Sequence, residues 1–297
     1  MKPIDTPVFM YPGHRDNVFT VAWSPDGTSI ASGSRDETGQ IWNAHTGKVS
    51  CVYPGHASCL LSIAWSPDGK YIASGDTNGI IQIWEAKTGR SIVTYHGHTR
   101  FVRSIAWSPD SSHIVSGGDF GDSTVQIWAA FSGNLAYTHK QQYRIFGVSW
   151  SPDGKRIVSG SFDGSVQTWD AFTGSDIMNY RDHSSPIYAT TWSPNGAYIA
   201  SGGEDRTIYV WEATTGKSVC LYKGHTNAVK SLAWSPDSRY IASGGDDTTV
   251  QVWEATYGEI ITTYEGHTKW VRTVAWASDG RYIASASDET VHIWQPY

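Results

Sequence analysis

The chain has 297 residues, of which 39% are hydrophobic and 17% are charged, and its formal net charge is −6. This composition argues against a disordered chain, and the acidic balance argues against nucleic acid or anionic lipid bound through bulk charge. No run approaches the roughly 18 apolar residues of a membrane helix, so no membrane partner is expected. Residues 1–5 are not followed by the apolar stretch of a signal peptide, and three cysteines cannot form a complete disulfide set. Both features favour a reducing, cytoplasmic location.

The first predicted elements are four short apolar runs that alternate with turn signals. The runs are Val21–Trp23, Ser29–Gly33, Gly39–Trp42 and Val49–Tyr53. The first run is closed by Ser24-Pro25-Asp26-Gly27, in which Pro fixes φ and Gly tolerates a positive φ. Turn signals at intervals of roughly 8–12 residues, without a helical period, predict an all-β array.

Tryptophan residues show that this unit repeats along the chain. One set ends each first strand and consists of Trp23, Trp65, Trp107, Trp150, Trp192, Trp234 and Trp276. A second set lies in each third strand and consists of Trp42, Trp84, Trp128, Trp169, Trp211, Trp253 and Trp294. Neighbouring members of either set are 41 to 44 residues apart. Seven repeats therefore cover the chain, and residues 1–297 are predicted to form a single domain.

The motifs of each unit carry a family resemblance. Gly-His is followed by Trp-Ser-Pro-Asp-Gly, then by Ala-Ser-Gly-Ser-x-Asp, then by Ile-Trp, and this succession resembles the WD40 repeat. The Trp-Asp dipeptide itself remains only at Trp169-Asp170. The resemblance implies a seven-bladed β-propeller with four antiparallel strands per blade. The near-uniform units are similar to those of bacterial WD40 proteins.

The two ends of the chain predict how the ring closes. Residues Phe9–His14 match Cys51–His56, so the chain begins with a fourth strand. It ends at Trp294–Tyr297, just after a third strand. The N-terminal strand is therefore predicted to complete the last blade, which would remove an exposed sheet edge.

Regularly spaced histidine and aspartate residues form a first candidate site. The histidines precede a first-strand Trp by nine residues and are His14, His56, His98, His183, His225 and His267. The aspartates precede a third-strand Trp by six residues and are Asp36, Asp122, Asp163, Asp205, Asp247 and Asp288. One His per blade is too widely spaced for a shared metal ion, so no metal is predicted. The resemblance implies instead a structural network in which this His and Asp bond a second-strand Ser and the third-strand Trp.

Two blades depart from this pattern. Blade 2 has Asn78 in place of the Asp, and blade 4 has Gln141 where the His is expected. Because its network lacks the imidazole, blade 4 is predicted to be locally less stable than the others. Cys51 and Cys220 fall on the outer strands of different blades, so free thiols are expected.

A Ser, a His and an Asp within one blade also have the composition of a catalytic triad. Near-identical sets in successive blades favour an architectural role instead. The sequence contains no G-x-S-x-G, H-E-x-x-H, phosphate-loop or G-x-G-x-x-G motif. The chain is therefore predicted not to be an enzyme and to need no cofactor.

Positions that vary between repeats form a second candidate site. In the resembled family, the loops from a fourth strand to the next first strand and from a second to a third strand open on one face, here called the top face. The candidate partner-binding residues in these loops are Phe19, Arg35, Phe101, Arg103, Phe120, Arg144, Phe146, Phe162, Tyr188, Lys230, Trp270 and Arg272. Glu204 and Asp246 add acid on the side of blades 5 and 6. Aromatic and arginine residues are the usual anchors of protein interfaces.

These features predict a non-catalytic module that binds a protein or peptide through the top face and the mouth of the central channel. Cations near the channel would draw an anionic group of that partner. No nucleic acid partner is expected, and the module is expected to be a monomer. Three alternatives stay open: aromatic residues that only cap the propeller entrance, a face that binds a small molecule or glycan, and a sensory or regulatory segment of a larger signalling protein.

Overall fold

The computed structural model describes residues 4–119 and 121–297. Within these ranges the chain forms 28 β-strands, which are arranged as seven four-stranded antiparallel sheets. The same ranges contain no α-helix, and so no helix long and apolar enough to cross a membrane. The predicted all-β fold of seven four-stranded blades is confirmed.

The N-terminal half of the chain supplies β1 and blades 1 to 4. Strand β1 is Phe9–Tyr11. Blade 1 contains β2 (Val18–Trp23), β3 (Ser29–Ser34), β4 (Gly39–Asn43) and β5 (Val49–Tyr53). Blade 2 contains β6 (Leu60–Trp65), β7 (Tyr71–Asp76), β8 (Ile81–Glu85) and β9 (Ser91–Tyr95). Blade 3 contains β10 (Val102–Trp107), β11 (His113–Gly118), β12 (Thr124–Ala129) and β13 (Leu135–Lys140). Blade 4 contains β14 (Ile145–Trp150), β15 (Arg156–Ser161), β16 (Val166–Asp170) and β17 (Met178–Tyr180).

The C-terminal part of the chain supplies blades 5 to 7. Blade 5 contains β18 (Ile187–Trp192), β19 (Tyr198–Gly203), β20 (Ile208–Glu212) and β21 (Ser218–Tyr222). Blade 6 contains β22 (Val229–Trp234), β23 (Tyr240–Gly245), β24 (Val250–Glu254) and β25 (Ile260–Tyr264). Blade 7 contains β26 (Thr273–Trp276), β27 (Ile283–Ser287) and β28 (Thr290–Trp294). Its fourth strand is β1, as the sheet order β1-β28-β27-β26 shows.

The closing strand β1 pairs with the last strand of the chain. Phe9 lies opposite Ile293 and Tyr11 lies opposite Val291 in the antiparallel register. The backbone N–H of Val8 donates a further hydrogen bond to the carbonyl of Ile293 at 2.7 Å. The prediction that the N-terminal strand completes the last blade is confirmed, and this pairing covers the edge of β28.

A hydroxyl–carboxylate turn joins the first two strands of blades 1 to 4 and blade 6 at the end opposite the top face. In blade 1, the Ser24 hydroxyl donates to Asp26 Oδ1 at 2.6 Å and accepts the Ser29 N–H at 2.9 Å. Gly27 completes the turn with φ +69°, a left-handed conformation that glycine adopts without steric cost. The turn therefore fixes the lower end of the first strand without help from other blades.

The hydrophobic core lies between blades rather than within one sheet. At the first seam, Ile41 and Tyr53 of blade 1 pack with Ile63, Ile72 and Trp84 of blade 2. All seven third-strand tryptophans are fully buried in such seams. Burying a large aromatic side chain contributes several kcal/mol, about 3–5 by truncation to Ala, so the repeated Trp holds each blade to its neighbour.

In most seams, a tyrosine of the preceding blade packs against the third-strand Trp. The Tyr11 ring stacks on Trp42 with centroids 4.1 Å apart, and its hydroxyl donates to Gln40 Oε1 at 2.6 Å. Tyr222 stacks on Trp253 at 4.3 Å and donates to Gln251 at 2.6 Å. Tyr11 and Tyr222 thus each add aromatic contact and one hydrogen bond across a seam.

A β-bulge near the start of the innermost strand displays one residue in each of six blades. In blade 1, Val18 pairs with Ser34 and Thr20 pairs with Gly33, so Phe19 is skipped. The skipped residues of blades 1 to 6 are Phe19, Leu61, Arg103, Phe146, Tyr188 and Lys230. In blade 7, Arg272 directly precedes the first strand. Because a bulge redirects the extra residue, these side chains are available to line the channel mouth.

Candidate functional site

The channel mouth is a cavity of about 550 Å³ lined by all seven blades. It receives the displayed residue of every blade, Phe19, Leu61, Arg103, Phe146, Tyr188, Lys230 and Arg272, together with Arg144 and Phe162. Eight of the twelve predicted partner-binding residues therefore line this cavity. Phe101 and Trp270 lie beside it and are 38% and 53% exposed. The Arg35 side chain is 59% exposed and lies outside the cavity lining, and Phe120 lies outside the described residues.

Backbone hydrogen bonds hold the two top-face loops of one blade together. The Asp119 N–H donates to the Phe101 carbonyl at 3.0 Å, and the Phe162 N–H donates to the Arg144 carbonyl at 3.0 Å. The same link joins the Glu204 N–H to the carbonyl before the first strand of blade 5 at 2.9 Å. These bonds fix the loops to each other, so the side chains that they carry are presented on ordered backbone.

A buried carboxylate engages both arginines of blades 3 and 4. Arg103 Nε lies 2.7 Å from Asp119 Oδ2, and Arg144 Nε lies 3.6 Å from Asp119 Oδ1. The Asp119 side chain is only 3% exposed, whereas the two arginine side chains are 35% and 39% exposed. The guanidinium of Arg103 also lies 5.2 Å from the Phe101 ring centroid. Part of the positive charge on this side of the mouth is thus compensated by an acid that sequence analysis did not single out.

Blades 5 and 6 place acid and base side by side. Lys230 Nζ lies 3.2 Å from Asp246 Oδ2 and 3.7 Å from the centroid of the Tyr188 ring. The Tyr188 hydroxyl donates to Glu204 Oε2 at 3.0 Å. Burial, followed by this bond and the nearby charge of Glu204, raises the pKa of Tyr188 to about 12. The tyrosine is therefore a neutral hydrogen-bond donor at physiological pH.

Arg272 stands between the aromatic side chains of blades 7 and 1. Its guanidinium carbon lies 4.9 Å from the Phe19 ring centroid and 6.0 Å from that of Trp270. Within residues 4–119 and 121–297, its side chain has neither an ion pair nor a hydrogen bond. Among the cations of the mouth, Arg272 is therefore the one whose guanidinium contacts aromatic rings and no acid.

Four blades contain the His–Asp–Ser contact set with the predicted aspartate. His14 Nδ1 lies 2.9 Å from Asp36 Oδ2, and its Nε2 lies 2.7 Å from the Ser32 hydroxyl. That hydroxyl accepts the Trp42 indole N–H at 3.1 Å. The same His contacts join His98 to Asp122 and Ser116, His183 to Asp205 and Ser201, and His225 to Asp247 and Ser243. Because an ionised carboxylate only accepts hydrogen bonds, Nδ1 carries the proton and Nε2 accepts the Ser hydroxyl.

The aspartates of this network are held ionised. Burial opposes the charge of Asp122 and Asp205, but hydrogen bonds from the neighbouring His and Thr side chains lower the pKa of both to about 2. Ser32 has no exposed surface and His14 is 4% exposed. A nucleophile must reach its substrate, so these buried hydroxyls suit a structural role.

Blade 2 corrects the predicted partner of its histidine. His56 Nδ1 lies 2.9 Å from Asp76 Oδ2, and the Asp76 side chain is 2% exposed. Asn78, which aligns with the aspartates of the other blades, instead donates its backbone N–H to Asp76 Oδ1 at 2.9 Å. A carboxylate two residues earlier, at the end of β7, supplies the missing charge.

Blade 4 leaves its network incomplete. The Gln141 amide donates to the Ser159 hydroxyl at 2.6 Å. Asp163 accepts the Ser165 N–H and hydroxyl at 3.1 and 2.6 Å, with no imidazole bonded to it. Among the described residues, the buried indole N–H of Trp169 has no hydrogen-bond partner. Asp163 is thus not part of a His network, because an amide cannot reproduce the two ring nitrogens.

Blade 7 replaces the aspartate by a second imidazole. Asp288 lies 3.3 Å from Lys269 Nζ at a 41% exposed position, away from the histidine. The His267 ring stacks on His292 with centroids 4.1 Å apart, while its Nε2 lies 2.7 Å from the Ser285 hydroxyl. Burial, together with the charge of His292, lowers the pKa of His267 to about 3, and burial lowers that of His292 to about 4. Both rings are neutral at physiological pH.

The described residues contain no group of three or more His, Cys, Asp or Glu side chains placed to hold a metal ion. The three cysteines, Cys51, Cys59 and Cys220, are free thiols. Burial raises the pKa of Cys51 and Cys220, which keeps both protonated at neutral pH. The chemistry available at the mouth is therefore aromatic contact, hydrogen bonding and charge.

Comparison with known proteins places the chain in a family. Seven stretches match the family model described as WD domain, G-beta repeat, and they are residues 5–43, 47–85, 89–129, 133–170, 174–212, 216–254 and 258–295. A segment of 33 residues is 54% identical to THO complex subunit 3 of Arabidopsis thaliana, and this alignment covers 11% of the chain and 10% of that protein. The resemblance to bacterial proteins stays a prediction. Because the family matches follow the sequence repeat and leave only short gaps, the chain belongs to the WD40 repeat family.

Proposed function

We propose that the chain is a non-catalytic module that binds a protein or peptide segment on its top face and at the channel mouth. The observation that carries this proposal is a set of side chains, one per blade, placed around a shared cavity of about 550 Å³ by the bulges of blades 1 to 6 and by the residue before the first strand of blade 7. WD40 propellers generally act as interaction scaffolds. The proposed module is a cytoplasmic monomer that needs no cofactor.

Exposed aromatic rings support this choice of face. Phe101, Phe162 and Trp270 are 38%, 42% and 53% exposed, and all three lie in or beside the mouth. Large aromatic side chains at the centre of a concave surface carry much of the binding energy in protein interfaces. A partner that covers these rings would remove apolar surface from water at about 25 cal/mol per Å².

The test is a selection from a display library of random peptides on the immobilised wild-type propeller. Peptides that emerge are synthesised, and their affinities are measured for a triple variant, Phe101→Ala/Phe162→Ala/Trp270→Ala. None of these residues is part of an ion pair, so the variant leaves no buried charge behind. A matched control replaces three exposed aromatics of the opposite face, Phe131→Ala/Phe172→Ala/Tyr257→Ala, which are 47%, 49% and 87% exposed.

The proposal expects the top-face variant to lose at least tenfold in affinity and the control to bind like the wild type, with both retaining the wild-type thermal unfolding profile. Loss of binding in the control alone would assign the partner to the opposite face. A propeller from which no peptide is enriched would refute peptide binding.

A second candidate function rests on the size of the cavity. About 550 Å³ lies within the range of small-molecule pockets, roughly 300–1,000 Å³, and Phe146, Phe162 and Tyr188 supply aromatic walls. A small molecule or glycan would bind there without affinity for peptides. The selection described above separates the two, because a small-ligand site would enrich no peptide and would show thermal stabilisation in a metabolite screen.

A further inference from the structure

We infer that the mouth contains an anion subsite at Arg272, between blades 7 and 1, which takes an aspartate or glutamate side chain of a bound peptide. This inference rests on the proposed function and specifies the chemistry of its partner. Arg272 differs from the other cations of the mouth in what its side chain contacts. Arg103 and Arg144 face Asp119, and Lys230 faces Asp246, whereas Arg272 meets only rings.

The balance of charge locates the uncompensated group. Four cations, Arg103, Arg144, Lys230 and Arg272, share the mouth with three acids, Asp119, Glu204 and Asp246, so the net charge is +1. Two exposed ion pairs also lie near blades 7 and 1: Lys269 lies 3.3 Å from Asp288, and Arg35 lies 3.8 Å from Asp16. Arg103 and Arg144 share Asp119, and Lys230 is paired with Asp246, so Arg272 is the cation of the mouth that has no acid at ion-pair distance among the described residues.

The surroundings of Arg272 favour a bound anion. The guanidinium carbon lies over the Phe19 and Trp270 rings, and this adjoining apolar surface displaces water and lowers the local dielectric. A guanidinium has five N–H donors in a planar fork, and its edge remains available when its faces are stacked. A carboxylate binds such an edge with two parallel hydrogen bonds. The rings would at the same time contact an apolar residue next to the acid.

The single uncompensated charge selects a carboxylate rather than a phosphate. A phosphorylated side chain carries a charge of about −1.5 to −2 and is usually recognised by clusters of arginines. The other two arginines that line the mouth, Arg103 and Arg144, are already engaged by Asp119. A side-chain carboxylate, with one negative charge, matches the charge of the site.

The experiment uses a library whose random peptides are fused to the carrier by their C-termini, so that every displayed carboxylate within the random segment is a side chain. Selections are run on the wild type, on Arg272→Gln and on Arg272→Glu. Arg239→Gln is the matched control, because Arg239 also lies over one aromatic ring, at 5.0 Å from the Tyr240 centroid, in the turn at the opposite end of the channel. One enriched peptide and its Asp→Asn or Glu→Gln analogue are then titrated against each variant.

The subsite predicts enrichment of acidic peptides on the wild type and on Arg239→Gln, and enrichment of Lys- or Arg-containing peptides on Arg272→Glu. Arg272→Gln should weaken the acidic peptide about ten- to hundredfold, the range for a charged hydrogen bond, and should leave the amide analogue unchanged. Wild-type thermal unfolding of Arg272→Gln confirms that the fold is retained.

Three outcomes would overturn the inference in distinguishable ways. Peptides without acid preference, or acidic peptides bound equally by Arg272→Gln, would refute the subsite while the proposed function stands. A phosphoserine version bound more than tenfold tighter than the carboxylate peptide would assign the subsite to phosphate instead. No enriched peptide on any protein would refute the proposed function itself.

Discussion

The stacked imidazoles of blade 7 make a sharp prediction about acid stability. His292 is 4% exposed, and its Nδ1 accepts the Tyr264 hydroxyl at 2.7 Å. In four other seams a glutamine stands at this position and accepts the equivalent tyrosine hydroxyl, as Gln40 does for Tyr11. The variant His292→Gln should therefore keep the hydrogen bond and remove a buried group that must remain neutral. We expect nearly wild-type stability at pH 8 and greater stability than the wild type at pH 5.

The magnitude follows from the pKa of each ring in the folded and unfolded states. An unfolded His has a pKa of about 6.5, whereas burial lowers that of His292 to about 4. Below pH 6.5 the unfolded chain therefore binds a proton that the folded chain excludes, so stability falls as the pH drops from about 6.5 and levels off below about 4. At pH 5 this loss is about 2 kcal/mol for His292. His267, whose pKa lies at about 3, adds a similar loss of about 2 kcal/mol that the variant retains.

The assay is urea unfolding followed by tryptophan fluorescence at pH 8, 6 and 5. Between pH 8 and pH 5, His292→Gln should lose about 2 kcal/mol less unfolding free energy than the wild type. The exposed His96 offers a control, His96→Gln, for the replacement of a histidine by glutamine outside blade 7. Equal losses in His292→Gln and the wild type would refute the argument that a buried neutral imidazole limits stability in acid.

Two further predictions concern the networks of blades 4 and 2. Amide hydrogen exchange should be faster in blade 4 than in blade 6, and Gln141→His should slow it and add about 1 kcal/mol of stability, because the imidazole can bond Asp163 and free Ser159 to accept the Trp169 indole. Equal protection of the two blades in the wild type would contradict this. In blade 2, Asp76→Asn should cost about 1.5–3 kcal/mol in urea unfolding, since His56 loses a charged acceptor, whereas Asn78→Ala should stay within about 0.5 kcal/mol. The opposite order would restore Asn78 as the partner of His56.

The fold could be predicted from the sequence because its determinants recur. The third-strand Trp, the turn from Ser24 to Gly27 and the fourth-strand match at the N-terminus each follow from local chemistry repeated at a fixed interval. The spacing of the tryptophans did not predict the stacked tyrosine, for example Tyr11 on Trp42, although the tyrosines are also regularly spaced. A tyrosine three residues before the His in most repeats was the available signal.

The acids that pair with the arginine and histidine side chains were harder to predict. Counting back from the third-strand Trp does not find them where the loops differ in length or sequence. The blade 3 loop is two residues longer, so counting back from Trp128 selects Gly121, whereas Asp119 makes the backbone bond to Phe101 that Arg35 makes to Asn17 in blade 1. In blade 2 the acid moved by two residues to Asp76. A side chain reaches several ångströms, so a carboxylate can serve the same imidazole from either position.

The bulge explains how the same propeller scaffold can carry different side chains at the channel mouth. Its neighbours Val18 and Thr20 pair in the ladder, and Val18 is completely buried in a seam, whereas the skipped position holds residues as different as Leu61 and Arg103. The packing that fixes Val18 therefore does not fix the skipped position. Asp119 is buried and requires its arginines, so a change at Arg103 affects folding as well as binding. Nothing in the described chain requires the charge of Arg272, which makes it the position where ligand choice can change while the fold stays intact.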